Sequence, residues 1–427
     1  MNSNYRAAMV AAFCVALGYA GAVQSAGITF IGKGSIAGMA LDDSGLRGLL
    51  EDGVTRANQI GGLGSAITYS GIDDLFYATP DRGPADGTTS YIDRLYTISI
   101  RAKKNGSGGY SIDAALRDTQ LLRLEDRKYF TGSNKAFDAT GSTDSLRFDP
   151  EGVRVSRCGR SVFVSDEYGP YLYEFDISSG KRLRSVNLPN KLLIDLPSED
   201  PNTELGKNVF GRQSNRGMEG LAISPDGSKL YGMMQNALIQ DGGLDGDLKR
   251  VGLSNRIIEI DVESGAMREF VYVLDKKSYG VNEIVALNDH EFLVLERDSN
   301  AGTAAAFKRL FKIDIAGASD VRDVKQLPES GLPAGVVPVA KAPFLDLLDP
   351  AYGLAGATFP EKIEGLAFGP DLPDGRRMLV VTNDNDFVAA NANNFYVFAI
   401  EPWLLPNYQS QRISFNHRCD RDDDHHH

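Results

Sequence analysis

The chain has 427 residues, 57 of them acidic and 45 basic, for a net charge of −12. That balance argues against nucleic acid or an anionic membrane as the partner, since both attract basic proteins. The length exceeds what one ordinary core holds unless the fold is a repeat or a barrel, and the acidity suits either plain solubility or the gathering of cations.

Residues 1–26 read as a secretory signal. Arg6 supplies a short positive start, residues 7–22 form an apolar run rich in small side chains, and cleavage sites follow at Ala20-Gly21-Ala22 or Val23-Gln24-Ser25. The run is short and Gly/Ala-rich for a membrane anchor, and no later stretch approaches a span. Cys14 lacks the small residues that a lipoprotein signal places before its Cys. The mature protein is therefore expected in the periplasm or outside the cell. Signal removal leaves Cys158 and Cys419, a disulfide candidate in an oxidising compartment. On the chain-entropy model, closing so long a loop would contribute about 4–5 kcal/mol. The alternative is two unpaired thiols, one of them in the C-terminal tail, residues 404–427.

In chain order, Ile28-Thr29-Phe30-Ile31 opens the body as a strand, and residues 43–59 are the best helical candidate. A repeat then dominates. Pro150-Glu151-Gly152-Val153, Met218-Glu219-Gly220-Leu221, Asn282-Glu283-Ile284-Val285 and Ile363-Glu364-Gly365-Leu366 align, and Gly62-Leu63-Gly64-Ser65-Ala66-Ile67 keeps the shape without the Glu. Each is followed by a turn and a second apolar strand, as in Pro225-Asp226-Gly227 leading to Leu230-Tyr231. A third strand follows in every unit, and Asp-x-x-Ser-Gly turns at 176–180 and 261–265 lead to a fourth.

Three or four antiparallel strands per unit, repeated about every 65–90 residues, predict an all-β propeller. Five blades are countable. Residues 103–148 and 320–357 leave room for a sixth. The last unit lacks an obvious fourth strand, which the N-terminal strand can supply, closing the ring and removing two sheet edges.

In a propeller the innermost strands line a central channel, so the repeated Glu residues converge there, with Gly letting crowded backbones approach. The ends of the second strands add Asp81-Arg82, Asp166-Glu167, Gln235-Asn236, Glu296-Arg297-Asp298 and Asp384-Asn385-Asp386. Carboxylates brought together cannot all stay ionised without counter-charge. A hard cation with oxygen ligands answers this, and Ca²⁺ is the default for an exported protein. The candidate ligands are Glu151, Asp166, Glu167, Glu219, Glu283, Glu296, Glu364 and Asp384. The alternative is that these Glu side chains bond backbone amides of the next blade. Arg82, Arg154, Arg216 and Arg297 lie beside the motif or the strand-end carboxylate of their blades, and guanidinium forks suit an anionic oxygen group. The expected ligand is a small anion.

Nucleophilic catalysis is hard to build. Ahead of the tail His290 is the sole histidine, and it lies in a turn, so no Ser-His-Asp triad is supported. No Gly-x-Ser-x-Gly elbow occurs, no His or Cys cluster supports zinc, and His425 to His427 read as a tag or a low-complexity end.

The sequence resembles the bacterial "esterase-like activity of phytase" family in Asp-Arg-Gly-Pro at 81–84, Pro-Glu-Gly-Val-Arg at 150–154 and Ser-Asp-Glu-Tyr-Gly-Pro at 165–170. The likeness continues in Asn-Arg-Gly-Met-Glu-Gly-Leu-Ala at 215–222, Glu-Arg-Asp at 296–298, Lys-Ile-Glu-Gly-Leu-Ala-Phe at 362–368 and Thr-Asn-Asp-Asn-Asp-Phe at 382–387. It covers roughly residues 28–403, so residues 27–403 would form a phytase-like β-propeller domain. The resemblance implies a periplasmic or secreted propeller that hydrolyses phosphate or carboxylic esters, and it brings no catalytic residue set. Three readings follow: a Ca²⁺-dependent ester hydrolase, a non-catalytic binding propeller with structural Ca²⁺, and a lactonase-like sugar-acid hydrolase.

Overall fold

The computed structural model describes residues 27–106, 108–138 and 145–415. The signal reading of residues 1–26 and Cys419 lie outside these. Five four-stranded antiparallel sheets surround one axis as the blades of a propeller. The first blade comprises Ala66–Tyr69, Leu75–Thr79, Arg94–Lys104 and Tyr110–Leu121, counted from the axis outward. The second comprises Pro150–Val155, Ser161–Asp166, Leu172–Asp176 and Arg182–Ser185. The third runs through Met218–Ile223, Lys229–Met234, Ser254–Asp261 and Met267–Val273, and the fourth through Gly280–Ala286, Glu291–Arg297, Lys308–Asp314 and Ala340–Asp346.

The fifth blade has three strands of its own, Ile363–Phe368, Arg377–Asn383 and Asn393–Ile400, and takes Ile28–Ile36 as its outermost. Ile28 pairs with Ile400 and Ile36 with Asn393, so the first strand of the body closes the ring as its sequence position suggested. Residues 103–148 and 320–357 hold no sixth blade among the described residues. They supply the outer strands Tyr110–Leu121 and Ala340–Asp346, and a small hairpin of Arg123–Glu125 with Lys128–Tyr129.

The helix expected at residues 43–59 is absent. That segment is a loop with single bridges, Leu41 to Gln59 and Leu49 to Arg56. Local side-chain bonding wins over helical periodicity here. The Asp52 carboxylate accepts from the Val54 and Thr55 amides at 2.9 Å each, and Gly48 and Gly53 take φ of +93° and +71°, outside the helical region. The α-helix that does form, Pro201–Lys207, has Asp200 as N-cap accepting from the Thr203 amide, with Pro at its first turn.

The core lies between successive blades. Leu293, Leu295 and Leu310 of the fourth pack with Leu366, Leu379 and Val381 of the fifth. Beside the second blade Phe148 stacks on Tyr173, ring centres 5.2 Å apart. Near the axis there is no room for side chains at the repeat glycines: a Cβ on Gly152 would stand 2.6 Å from the Leu221 Cβ of the next blade.

At the far end of the channel the tail crosses the ring. Tyr408 packs on Phe368 of the fifth blade, ring centres 4.6 Å apart, and Gln409 donates from its amide to Leu287 of the fourth. Arg412 and Ser414 donate likewise to Pro225 and Arg157, after the third and second inner strands. The tail thereby roofs a cavity of about 350 Å³. Cys158 is buried and disulfide-bonded. Among the described residues no helix is long and apolar enough to cross a membrane.

Candidate functional site

The near end of the channel, where the inner strands begin and the second strands finish, collects the polar groups. What aims them is a break in pairing. In the second blade Pro150 pairs with Asp166 and Gly152 with Ser165, leaving Glu151 as the extra residue of a bulge. Glu219 is the extra residue in the third blade, Asn282 in the fourth, and Glu364 lies in the break of the fifth. A bulge turns its residue out of the pleat, here toward the axis.

The fourth blade is thereby out of step with the sequence alignment by one residue. Asn282, not Glu283, is the structural counterpart of Glu219. Asn282 Nδ2 donates to Glu219 Oε1 and Glu364 Oε1, 3.4 Å from each, and Ser65 of the first blade donates to Glu364 Oε2 at 3.4 Å. Glu151, Glu219, Asn282, Glu364 and Ser65 thus draw one residue from each blade into a ring. Glu283 takes the place of a glycine, and its carboxylate accepts from the Leu221 and Ile284 amides at 3.0 and 2.9 Å.

Beside the ring, Asp149, Glu151 and Glu167 are buried with carboxylate oxygens within 4.8 Å of one another. Glu151 hydrogen-bonds both Asp149 and Glu219. Burial, then the charges of Glu219, Asp149, Glu167 and Glu364, push the Glu151 carboxyl well above the usual carboxylate range. Burial and the neighbours Glu167 and Glu364 do the same to Glu219. Glu167 Oε1 and Glu219 Oε2 are buried and have no hydrogen-bond partner among the described residues. Asp149, two residues before the motif Glu, was not singled out from the sequence; its one signal was a place in the same Asp-Pro-Glu run.

A second acidic group already has a counter-charge of its own. Asp81, Asp384 and Asp386 converge on the Lys362 ammonium, 2.7 Å from Asp384 and 3.5 Å from Asp81, with Asp386 paired to it as well. Two other candidates stand apart from the cluster. The Asp166 side chain accepts from the amides of Asp149, Gly169 and Tyr171, organising the loop behind it. Glu296 is bonded by Tyr272, the Asp275 amide and Lys341.

The four arginines also separate. Arg82 is buried against Asp149 at 3.2 Å, and Arg297 pairs with Glu364 at 2.7 Å. Arg154 is withdrawn into the channel beyond the ring, where it donates to the carbonyls of Ile67 and Ile284. Arg216 lines a cavity of about 330 Å³ at the mouth with Arg250, Lys277, Arg297, Gln235 and Asn282, within the usual range for small-ligand sites. Arg250 sits in a loop without a counterpart in other blades, so the repeat gave no reason to pick it.

Residues 58–387 match the family model described as phytase-like, esterase-like activity of phytase. The chain belongs to that family. Among relatives of this phytase-like chain is an uncharacterized secreted protein of Arthroderma benhamiae, 28% identical over 350 residues. The match covers 65% of this chain and spans 64% of that relative's length. Similar solved structures include glutaminyl cyclase of Myxococcus xanthus, at TM-score 0.38 and 11% identity, over 88% of this chain and 97% of that one. A nidogen/laminin complex is matched at TM-score 0.34 and 10% identity, over 88% and 98%.

Proposed function

We propose that this phytase-like propeller is an exported, cation-dependent hydrolase of phosphate or other esters, working at the channel mouth. The observation that carries the reading is the buried cluster of Asp149, Glu151 and Glu167, with Glu219 hydrogen-bonded to Glu151, in which Glu167 Oε1 and Glu219 Oε2 have no partner among the described residues. No basic side chain is ion-paired to Glu151, Glu167 or Glu219 among the described residues. Unpartnered carboxylate oxygen in the interior is costly, and a cation ligated by these oxygens would relieve it.

The donor set consists of oxygens alone, which suits Ca²⁺ and gives no foothold to zinc. Asp149, Glu151, Glu167 and Glu219 would hold the ion. When bound it would supply counter-charge and Lewis acidity at the ester. Around it, Asn282 fixes Glu219 and Glu364 in place by its two hydrogen bonds, and Arg297 offsets the charge of Glu364. Export is supported by the signal-like residues 1–26 and by the description of the Arthroderma relative as secreted. A Cys158–Cys419 bridge fits that compartment.

The test is turnover of a generic phosphomonoester and a carboxylic ester by the purified protein. Activity should vanish in chelator, return with Ca²⁺, and be missing in Glu219→Gln. Turnover that survives chelation overturns the reading. If chelation lowers the melting temperature while no phosphate, carboxylic ester or lactone is hydrolysed, the protein is a binding propeller with structural Ca²⁺.

A further inference from the structure

The mouth cavity beside the carboxylates has an unusual charge count. Of its four cationic side chains, Lys277 is paired to Glu329 and Arg297 to Glu364. Arg216 and Arg250 are ion-paired to no carboxylate among the described residues. Each instead donates to a backbone carbonyl of one turn, Arg216 to Asn215 at 2.9 Å and Arg250 to Ser214 at 3.1 Å. Both guanidinium groups are therefore anchored within one residue of each other. Asn215 holds a left-handed φ of 56°, which sets this turn. Burial and then the like charge of Arg216 lower the Arg250 guanidinium to about 10, against the pull of the Glu167 carboxylate, as expected where two cations share a space.

We infer that Arg216 and Arg250 form the binding subsite for a doubly charged tetrahedral oxyanion, the phosphoryl group of a monoester, in the mouth cavity. Two guanidinium charges that no carboxylate ion-pairs among the described residues match a dianion, and their planar forks present paired N–H groups to phosphoryl oxygens. A carboxylate would balance one charge and leave the other. The walls complete the fit: Gln235 and Asn282 line the same cavity with buried side-chain oxygens, Oε1 and Oδ1, that have no partner among the described residues. They are free to accept from hydroxyl groups of the esterified alcohol. Asn282 also touches Glu219, so an anion here lies against the proposed cation site. The inference deepens the hydrolase reading but has a test of its own, because binding needs neither cation nor turnover.

The experiment is calorimetric titration of inorganic phosphate, then sulfate and acetate, into full-length protein in chelator at constant ionic strength. Saturable phosphate binding, weakened about tenfold or more by Arg250→Gln and by Arg216→Gln, is expected. Sulfate should compete and acetate should not. Arg101→Gln, a surface arginine paired to Asp74, should bind as wild type does. Arg250 is an exposed residue, so its variant tests binding even if Arg216→Gln fails to fold. No saturable phosphate binding, or binding that both variants retain, overturns the subsite. Phosphate binding without hydrolysis leaves the subsite standing and removes the hydrolase reading.

Discussion

Arg154 of the second blade lies 2.9 Å from the carboxylate of Glu283 in the fourth, across the channel. The same guanidinium donates to Ile67 of the first blade at 3.0 Å and to Ile284 at 2.8 Å. One buried ion pair thus ties three blades together between the mouth and the tail-roofed cavity. Removing one partner strands the other charge. Arg154→Met is expected to cost about 3–5 kcal/mol in denaturant unfolding, whereas Arg154→Met with Glu283→Leu should recover most of it. Additive losses in the double variant would show that the two side chains are energetically independent.

The carboxyls near the axis predict an inverted pH dependence for the cation-free protein. Burial pushes Glu283 up to about 7, against the pull of Arg154 and two amides, and Glu151 and Glu219 are raised as well. A carboxyl raised in the folded state binds its proton more tightly there than in the unfolded chain. Its contribution is whole below the unfolded value of 4.5 and is lost as pH rises through about 7. In chelator the melting temperature should therefore fall between about pH 5 and about pH 8. Saturating Ca²⁺ should flatten the slope, adding about 2.7 kcal/mol at a hundredfold excess over Kd. A flat or rising profile in chelator would refute the assignment.

The blade repeat was legible because strand alternation and turn chemistry are local. The ring closure was legible because an unpaired fifth blade needs a fourth strand. The register within a strand was not. Asn282 and Glu283 are neighbours that both fit the motif, and a one-residue bulge decides which faces the mouth. Lys362 and Arg250 escaped notice for another reason: Lys362 precedes its strand and gathers Asp81 of the first blade together with Asp384 and Asp386 of its own, and Arg250 lies in an insertion loop, so the repeat spacing says nothing about either.

Lys362 serves as an internal counter-ion for Asp81, Asp384 and Asp386. Replacing it with Met leaves three acidic side chains facing one another, and a loss of about 3–5 kcal/mol at neutral pH is expected. Oxygen ligands without their ammonium suit a divalent ion, so Ca²⁺ should raise the melting temperature of Lys362→Met more than that of wild type. Equal stability of variant and wild type in chelator would rule this role out.

The tail supplies the last prediction. Residues 408–414 reach every blade: Gln411 donates to Val155 of the second at 2.6 Å, and Ile413 covers Gly71 of the first, where a Cβ would stand 2.9 Å from it. Truncation after Asn407 removes the three backbone hydrogen bonds by which the segment is tied to the blades, to Leu287, Pro225 and Arg157. At about 0.5–1.5 kcal/mol each, with the lost packing of Tyr408 and Ile413, the expected cost is about 2–5 kcal/mol. The disulfide of Cys158 separates two roles for the segment. If Cys419 is its partner, reductant lowers the melting temperature of the full-length protein, by an amount equivalent to about 2–4 kcal/mol, and leaves the truncated protein unchanged. A truncated protein that melts with the full-length chain would show that the blades hold the ring shut without this strap.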